Sequence, residues 1–143
     1  MSIPLASLMF VLLLAVSVAH LIWSIGQTWP IRTEKLLAQT VVGTRDIQHM
    51  PRKRISLAIA LGKLLAGVLA LALADHDSGG VALTLLGIPL AALFLGRGII
   101  GYTSWWAQKT PEPNFRLNDR RVYSPLCLLL GAGFLLLVIL RLL

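Results

Sequence analysis

From Ile3 to Ile31 the chain carries no Lys, Arg, Asp or Glu. The hydrocarbon core of a bilayer is crossed by about 20 predominantly apolar residues in a helix. Three further stretches meet the same requirement, giving expected spans at about 3–27, 55–74, 80–102 and 122–140. Pro4 suits the first turn of a helix, where the amide it lacks would be unpaired anyway, and Trp29-Pro30 and Trp105-Trp106 mark membrane exits. Gly87 and Pro89 are expected to kink the third span. The fold class that follows is an all-α, four-helix transmembrane bundle, one integral membrane domain over residues 1–143, with loops at about 28–54 and 103–121.

Composition supports lipid as the solvent. The 143 residues are 57% hydrophobic and 13% charged, with mean hydropathy +0.80, whereas soluble domains hold about 25% charged residues. A soluble chain of this length has no interior large enough for so much apolar surface. Ser17-Val18-Ala19 has the small-x-small look of a signal-peptidase site. No basic n-region precedes it, and the apolar run continues beyond it, so residues 3–27 are expected to stay as the first helix.

The net charge is +7 and the pI about 10.6. Most Lys and Arg fall in segments 30–54 and 103–121, whereas the turn Asp75-His76-Asp77-Ser78-Gly79 has none and the C-terminal tail only Arg141. Nucleic-acid binders instead carry a patterned basic face on a water-facing domain, so nucleic acid is set aside as a partner. The asymmetry sets both basic loops in the cytoplasm and both termini outside, and the chain in a plasma (inner) membrane. Within the first loop, residues 34–42 suit a short interfacial helix capped by Thr33, with Leu36, Leu37 and Val41 on one side.

Polar residues inside spans carry the functional signal, because each is costly unless it faces a cavity or partner. Lys63 lies about 12 Å from the basic end of its span, with Ala60, Ala66, Gly67 and Ala70 on its helical face. Ser17, His20, Ser24 and Gln27 form a stripe at i, i+3, i+7 and i+10, with Trp23 beside it and His20 also about 12 Å deep. Arg97 enters the third span about 7 Å deep from the same end, and Asp119 and Tyr123 stand where the fourth begins. With no Asp or Glu within any span, Lys63 and Arg97 are expected to hold an anionic group, and His20 and Tyr123 to supply hydrogen bonds. The alternatives are that Arg97 snorkels to the headgroups and that Lys63 bonds main-chain carbonyls. The candidate ligand-binding set is His20, Trp23, Gln27, Lys63, Arg97, Asp119 and Tyr123.

Other patterns carry less. Gly96-Arg97-Gly98-Ile99-Ile100-Gly101 matches G-x-G-x-x-G without the strand that fingerprint requires. Three adjacent residues in Asp75-His76-Asp77 rarely converge on one ion, and the dispersed His20, His49 and His76 give no metal or haem set. Cys127, the single cysteine, has no redox partner. No catalytic group and no cofactor are expected, and an enzyme is the least supported function class. The small-residue stripe Ala66, Ala70, Ala74 suits a membrane-protein partner or a second copy. The two function classes are therefore a membrane protein binding or moving an anionic or amphipathic small molecule or lipid, and an accessory or assembly subunit of a larger membrane complex.

Residues 20–30, His-Leu-Ile-Trp-Ser-Ile-Gly-Gln-Thr-Trp-Pro, together with 97–101 and 115–128, resemble a family of small four-helix bacterial membrane proteins catalogued as domain of unknown function 3995. The resemblance implies the four-helix membrane fold and no established activity. It emphasises His20, Trp23, Gly26, Arg97, Gly101, Asp119, Tyr123, Ser124 and Pro125. Gln27 and Tyr102 depart from the pattern, which has glycine and an acidic residue there.

Overall fold

Among the described residues of the computed structural model, four helices are long and apolar enough to cross a membrane. The structure describes residues 1–77 and 79–143, so Ser78 of the acidic turn lies outside the described residues. Helix α1 (Ser2–Ser24) leads through a short α2 (Glu34–Val41) to α3 (Lys53–Ala74) and α4 (Gly80–Ile100). Two short helices follow, α5 (Ser104–Lys109) and α6 (Pro113–Asn118), then a π-helical turn (Asp119–Tyr123) and α7 (Ser124–Leu142).

Two boundaries differ from the sequence reading. The first helix stops at Ser24, because Ile25 caps it and Gly26 turns the chain at φ +89°. The fourth helical segment starts at Pro113 and runs for 30 residues to Leu142, well before residue 122. Asn114, Arg116, Asn118, Asp119 and Arg120 fall within its first two turns, so hydropathy alone does not reveal that they are helical. Helix α4 runs unbroken through Pro89.

The bundle is made of two helix pairs, α1 on α3 and α4 on α7, with sparser contacts between them. Small residues set both close approaches. Gly67 of α3 faces Phe10 and Leu13 of α1, while Gly98 and Gly131 bring α4 and α7 close at Leu128 and Leu95. A Cβ on Gly131 would sit 2.6 Å from the Leu95 main-chain nitrogen. Between the pairs, Met9, Leu13, Ala70, Leu73, Phe94 and Phe134 form the shared core, with Phe94 and Phe134 stacked 5.7 Å apart. Ala66, Ala70 and Ala74 are all buried in the bundle. The stripe expected to meet a partner is thus used internally, since it lets α3 approach its own neighbours. Leu61, Leu65, Leu85 and Leu93 are exposed instead, the inverse of a soluble core and the pattern lipid requires.

The two basic loops fold onto each other at one end of the bundle. Thr33 caps α2 as expected, its Oγ1 accepting from the Leu36 amide at 3.3 Å. Helix α2 buries Leu37 and Ala38, with Leu36 exposed, and packs on α6. The side chain of Phe115 lies against Gly43, which takes φ +75° and has no room for a Cβ. The Glu112 amide donates to the Gly43 carbonyl at 3.2 Å, and the Tyr123 hydroxyl to that of Thr40 at 3.1 Å. At the far end, Arg141 of α7 donates to the carbonyls of Ala72, Leu73 and Asp75. It satisfies acceptors that the end of α3 leaves free.

Candidate functional site

The polar centre of the basic end is built around Asp119, a carboxylate with no exposed surface. Arg97 Nη2 stands 2.7 Å from Asp119 Oδ1, and Ser124 Oγ donates to the same oxygen at 3.1 Å. Trp106 Nε1 donates to Oδ2 at 2.9 Å. Arg97 Nη1 also donates to Ser124 Oγ at 3.4 Å, and its guanidinium carbon lies 4.8 Å from the Trp106 ring centre. One carboxylate therefore ties together α4, α5 and the start of α7. A buried charge persists only when paired and hydrogen-bonded in this way.

The π-helical turn makes the arrangement possible. The five steps from Asp119 to Ser124 would rotate an α-helix by about 500°, leaving the two about 140° apart around the axis. The wider i→i+5 winding returns Ser124 to the side of Asp119. Gly101, at the end of α4, is the other requirement: a Cβ there would overlap Ser124 Oγ and crowd Asp119 Oδ2.

The expectation that no acid faces Arg97 therefore fails. The carboxylate comes from just before the apolar part of the fourth span and reaches in through the π turn. Lys63 differs: its Nζ lies 4.6 Å from the centre of the Phe94 ring, and it makes no ion pair among the described residues.

A cleft of about 270 Å³ opens beside this centre. His20 and Trp23 of α1, Ser56 of α3, Arg97 of α4, Trp106 of α5 and Phe115 of α6 are among its walls, the remainder being chiefly apolar residues of α2, α3 and the first loop. Arg97 keeps 31% of its side chain exposed despite the pairing. His20 and Trp23 rings are 4.8 Å apart. His20 Nδ1 donates to the Val16 carbonyl at 2.9 Å; a neutral ring then holds its acceptor at Nε2. Trp23 Nε1 donates to the Trp29 carbonyl at 2.8 Å, tying the loop back onto α1.

Of the seven candidate residues, the cleft brings together His20, Trp23 and Arg97, with Asp119 directly behind Arg97. Lys63 is outside the cleft walls, and Tyr123 is engaged with Thr40 and with the Phe115 ring at 5.8 Å. Gln27 lies past the end of α1 and is exposed. The stripe on α1 divides likewise: Ser17 donates across to the Ala60 carbonyl of α3 at 2.7 Å, while Ser24 bonds its own helix at Leu21.

Sequence reasoning missed Trp106 and Ser124 as partners of Asp119. Tandem tryptophans at a helix end read as an interfacial belt, and α-helical spacing places Ser124 away from Asp119. Among the described residues, no group of three His, Cys, Asp or Glu is placed to hold a metal ion.

No curated protein and no solved structure matches the chain. Residues 13–134, from the middle of α1 into α7, match the family described as protein of unknown function (DUF3995), and the chain belongs to that family.

Proposed function

We propose that this multi-pass membrane protein binds an anionic, amphipathic molecule in the cleft at its basic end. The excess of Lys and Arg in the two loops supports a reading in which that end faces the cytoplasm and the chain sits in a bacterial inner membrane. The observation that carries the proposal is the cleft itself: largely apolar walls, with the partly exposed Arg97 guanidinium and the His20 ring converging on one opening. Small-molecule sites combine apolar lining with a few placed polar groups. About 270 Å³ admits a headgroup and part of a chain, so a single-chain anion such as a fatty acid fits better than a whole phospholipid. Arg97 presents positive charge towards the cleft while Asp119 fixes its position. His20 Nε2, the acceptor of the neutral ring, can take the proton of a ligand hydroxyl or of a protonated carboxyl.

Dibromostearate quenching of tryptophan tests the proposal. In a Trp29→Phe, Trp105→Phe background, Trp23 and Trp106 are the only tryptophans left, and both line the cleft. Saturable quenching is expected, and it should weaken when Ile59→Phe narrows the cleft. Equal quenching in the Ile59→Phe variant, or by a neutral brominated alcohol, would sink the proposal.

A further inference from the structure

We infer that Arg116 is the anchor of a phosphate site at the basic end, separate from the cleft, and that a lipid headgroup fills it. Arg116 Nη1 is buried and has no hydrogen-bond partner; among the described residues it is the only side-chain nitrogen or oxygen in that condition. The ion pairs among those residues are His49–Glu34 and Arg97–Asp119, so the guanidinium has no carboxylate either. Glu112, one helical turn earlier, does not pair with it. A charged donor shielded from water without a partner is costlier than a neutral one, and native structures satisfy nearly all such groups.

The backbone under Arg116 is held in place. Phe115 beside it is packed against Gly43, Trp106 and Tyr123, and α6 rests on α2. The chain has little acid to offer: segments 30–54 and 103–121 hold ten Lys and Arg against four Asp and Glu. Two of those four, Glu34 and Asp119, are already engaged. Arg116 as a whole is only half-buried, so an outside anion can meet its exposed part and draw Nη1 out into the same contact.

Depth identifies its chemistry. Arg116 lies six residues before Val122, where the apolar part of the last span begins, or about 9 Å along the helix axis. Headgroups occupy roughly the 5–8 Å beyond each face of the hydrocarbon core, within reach of an arginine side chain from that position. The guanidinium fork matches phosphate oxygens two at a time. Exposed Arg120 and Arg121, a turn further on, add positive potential without a shaped contact.

The test is native mass spectrometry of the full chain, purified in mild detergent and incubated with phosphatidylglycerol. An exposed arginine near a membrane surface contributes about five-fold to anionic-lipid binding, and Arg120→Gln should lose no more than that. Arg116→Gln should lose more than about ten-fold, because a forked contact goes with the charge. Titration with inorganic phosphate in lipid-free detergent separates the sources: a loss confined to that arm keeps the site and makes free phosphate its ligand. If Arg116→Gln does not fold, Arg116→Lys decides, since it keeps the charge and removes the fork; its lipid or phosphate binding should fall below wild type. Losses in the Arg116 variant no greater than in Arg120→Gln, with phosphate binding unchanged, overturn the inference.

Discussion

The two helix pairs treat an intramembrane cation in opposite ways. In the α4–α7 pair, Arg97 meets a buried carboxylate that also receives an indole N–H and a serine hydroxyl. On α3 of the other pair, Lys63 lies over the face of Phe94 and pairs with no acid among the described residues. One cation is built into the fold; the other lies against it. The difference comes from the residues at the headgroup level rather than from the cations. The fourth helical segment starts early enough to bring Asp119 in through a π turn, whereas α3 starts at Lys53 and offers no acid.

The largest expected effect breaks the Arg97 clasp. Arg97→Met leaves the Asp119 carboxylate buried without its cation, and loss of one member of a buried pair costs about 3–5 kcal/mol. Asp119→Asn should cost less, about 1–3 kcal/mol, because Arg97 is partly exposed and can turn towards the headgroups. Thermal unfolding of the two variants in one detergent measures the asymmetry. Equal losses would mean that the carboxylate is not the trapped partner.

A gentler break tests the geometry without removing charge. Gly101→Ala places a methyl group against Ser124 Oγ and Asp119 Oδ2, and overpacking of this kind costs about 1–3 kcal/mol. Gly96, five residues earlier, has open space where its Cβ would stand. Gly96→Ala should therefore stabilise α4, by about 0.5–1 kcal/mol from helix propensity. Two identical substitutions near one end of α4 should shift the unfolding midpoint in opposite directions. The same sign for both would show that contact with Ser124 does not decide the outcome.

Much of the four-helix plan was legible in the sequence, because hydropathy integrates over about 20 residues and tolerates local error. Helical rise alone set His20 and Arg97 towards the same end of the bundle, and both line the cleft. What lay beyond reach depended on single residues. Gln27 seemed to continue the stripe on α1 until Gly26 turned the chain at positive φ. Asp119 and Ser124 seemed to face different ways until the π turn altered the winding between them. Trp106 is an interfacial residue by type and becomes a donor to Asp119 only because Thr103 starts a new helix: its Oγ1 accepts from the Trp106 amide at 3.3 Å. A periodic reading assumes one winding along each helix, and the site forms where that winding changes.

The smallest effect concerns Lys63 and sharpens the comparison most. Lys63→Met keeps a long, flexible side chain and removes the ammonium from the Phe94 ring. A cation–ring attraction of this kind is worth about 0.5–2 kcal/mol. The cost of a charge within the membrane is carried by the inserted helix whether or not the bundle is folded, so it contributes little to the unfolding midpoint. With Lys63 only partly buried, the loss should lie at the low end of that range, about 0.5–1 kcal/mol. Measured beside Arg97→Met under the same conditions, Lys63→Met should lower the midpoint only slightly. A loss approaching that of Arg97→Met would mean that Lys63, like Arg97, is held by a partner that stabilises the fold, and the contrast between the two helix pairs would disappear.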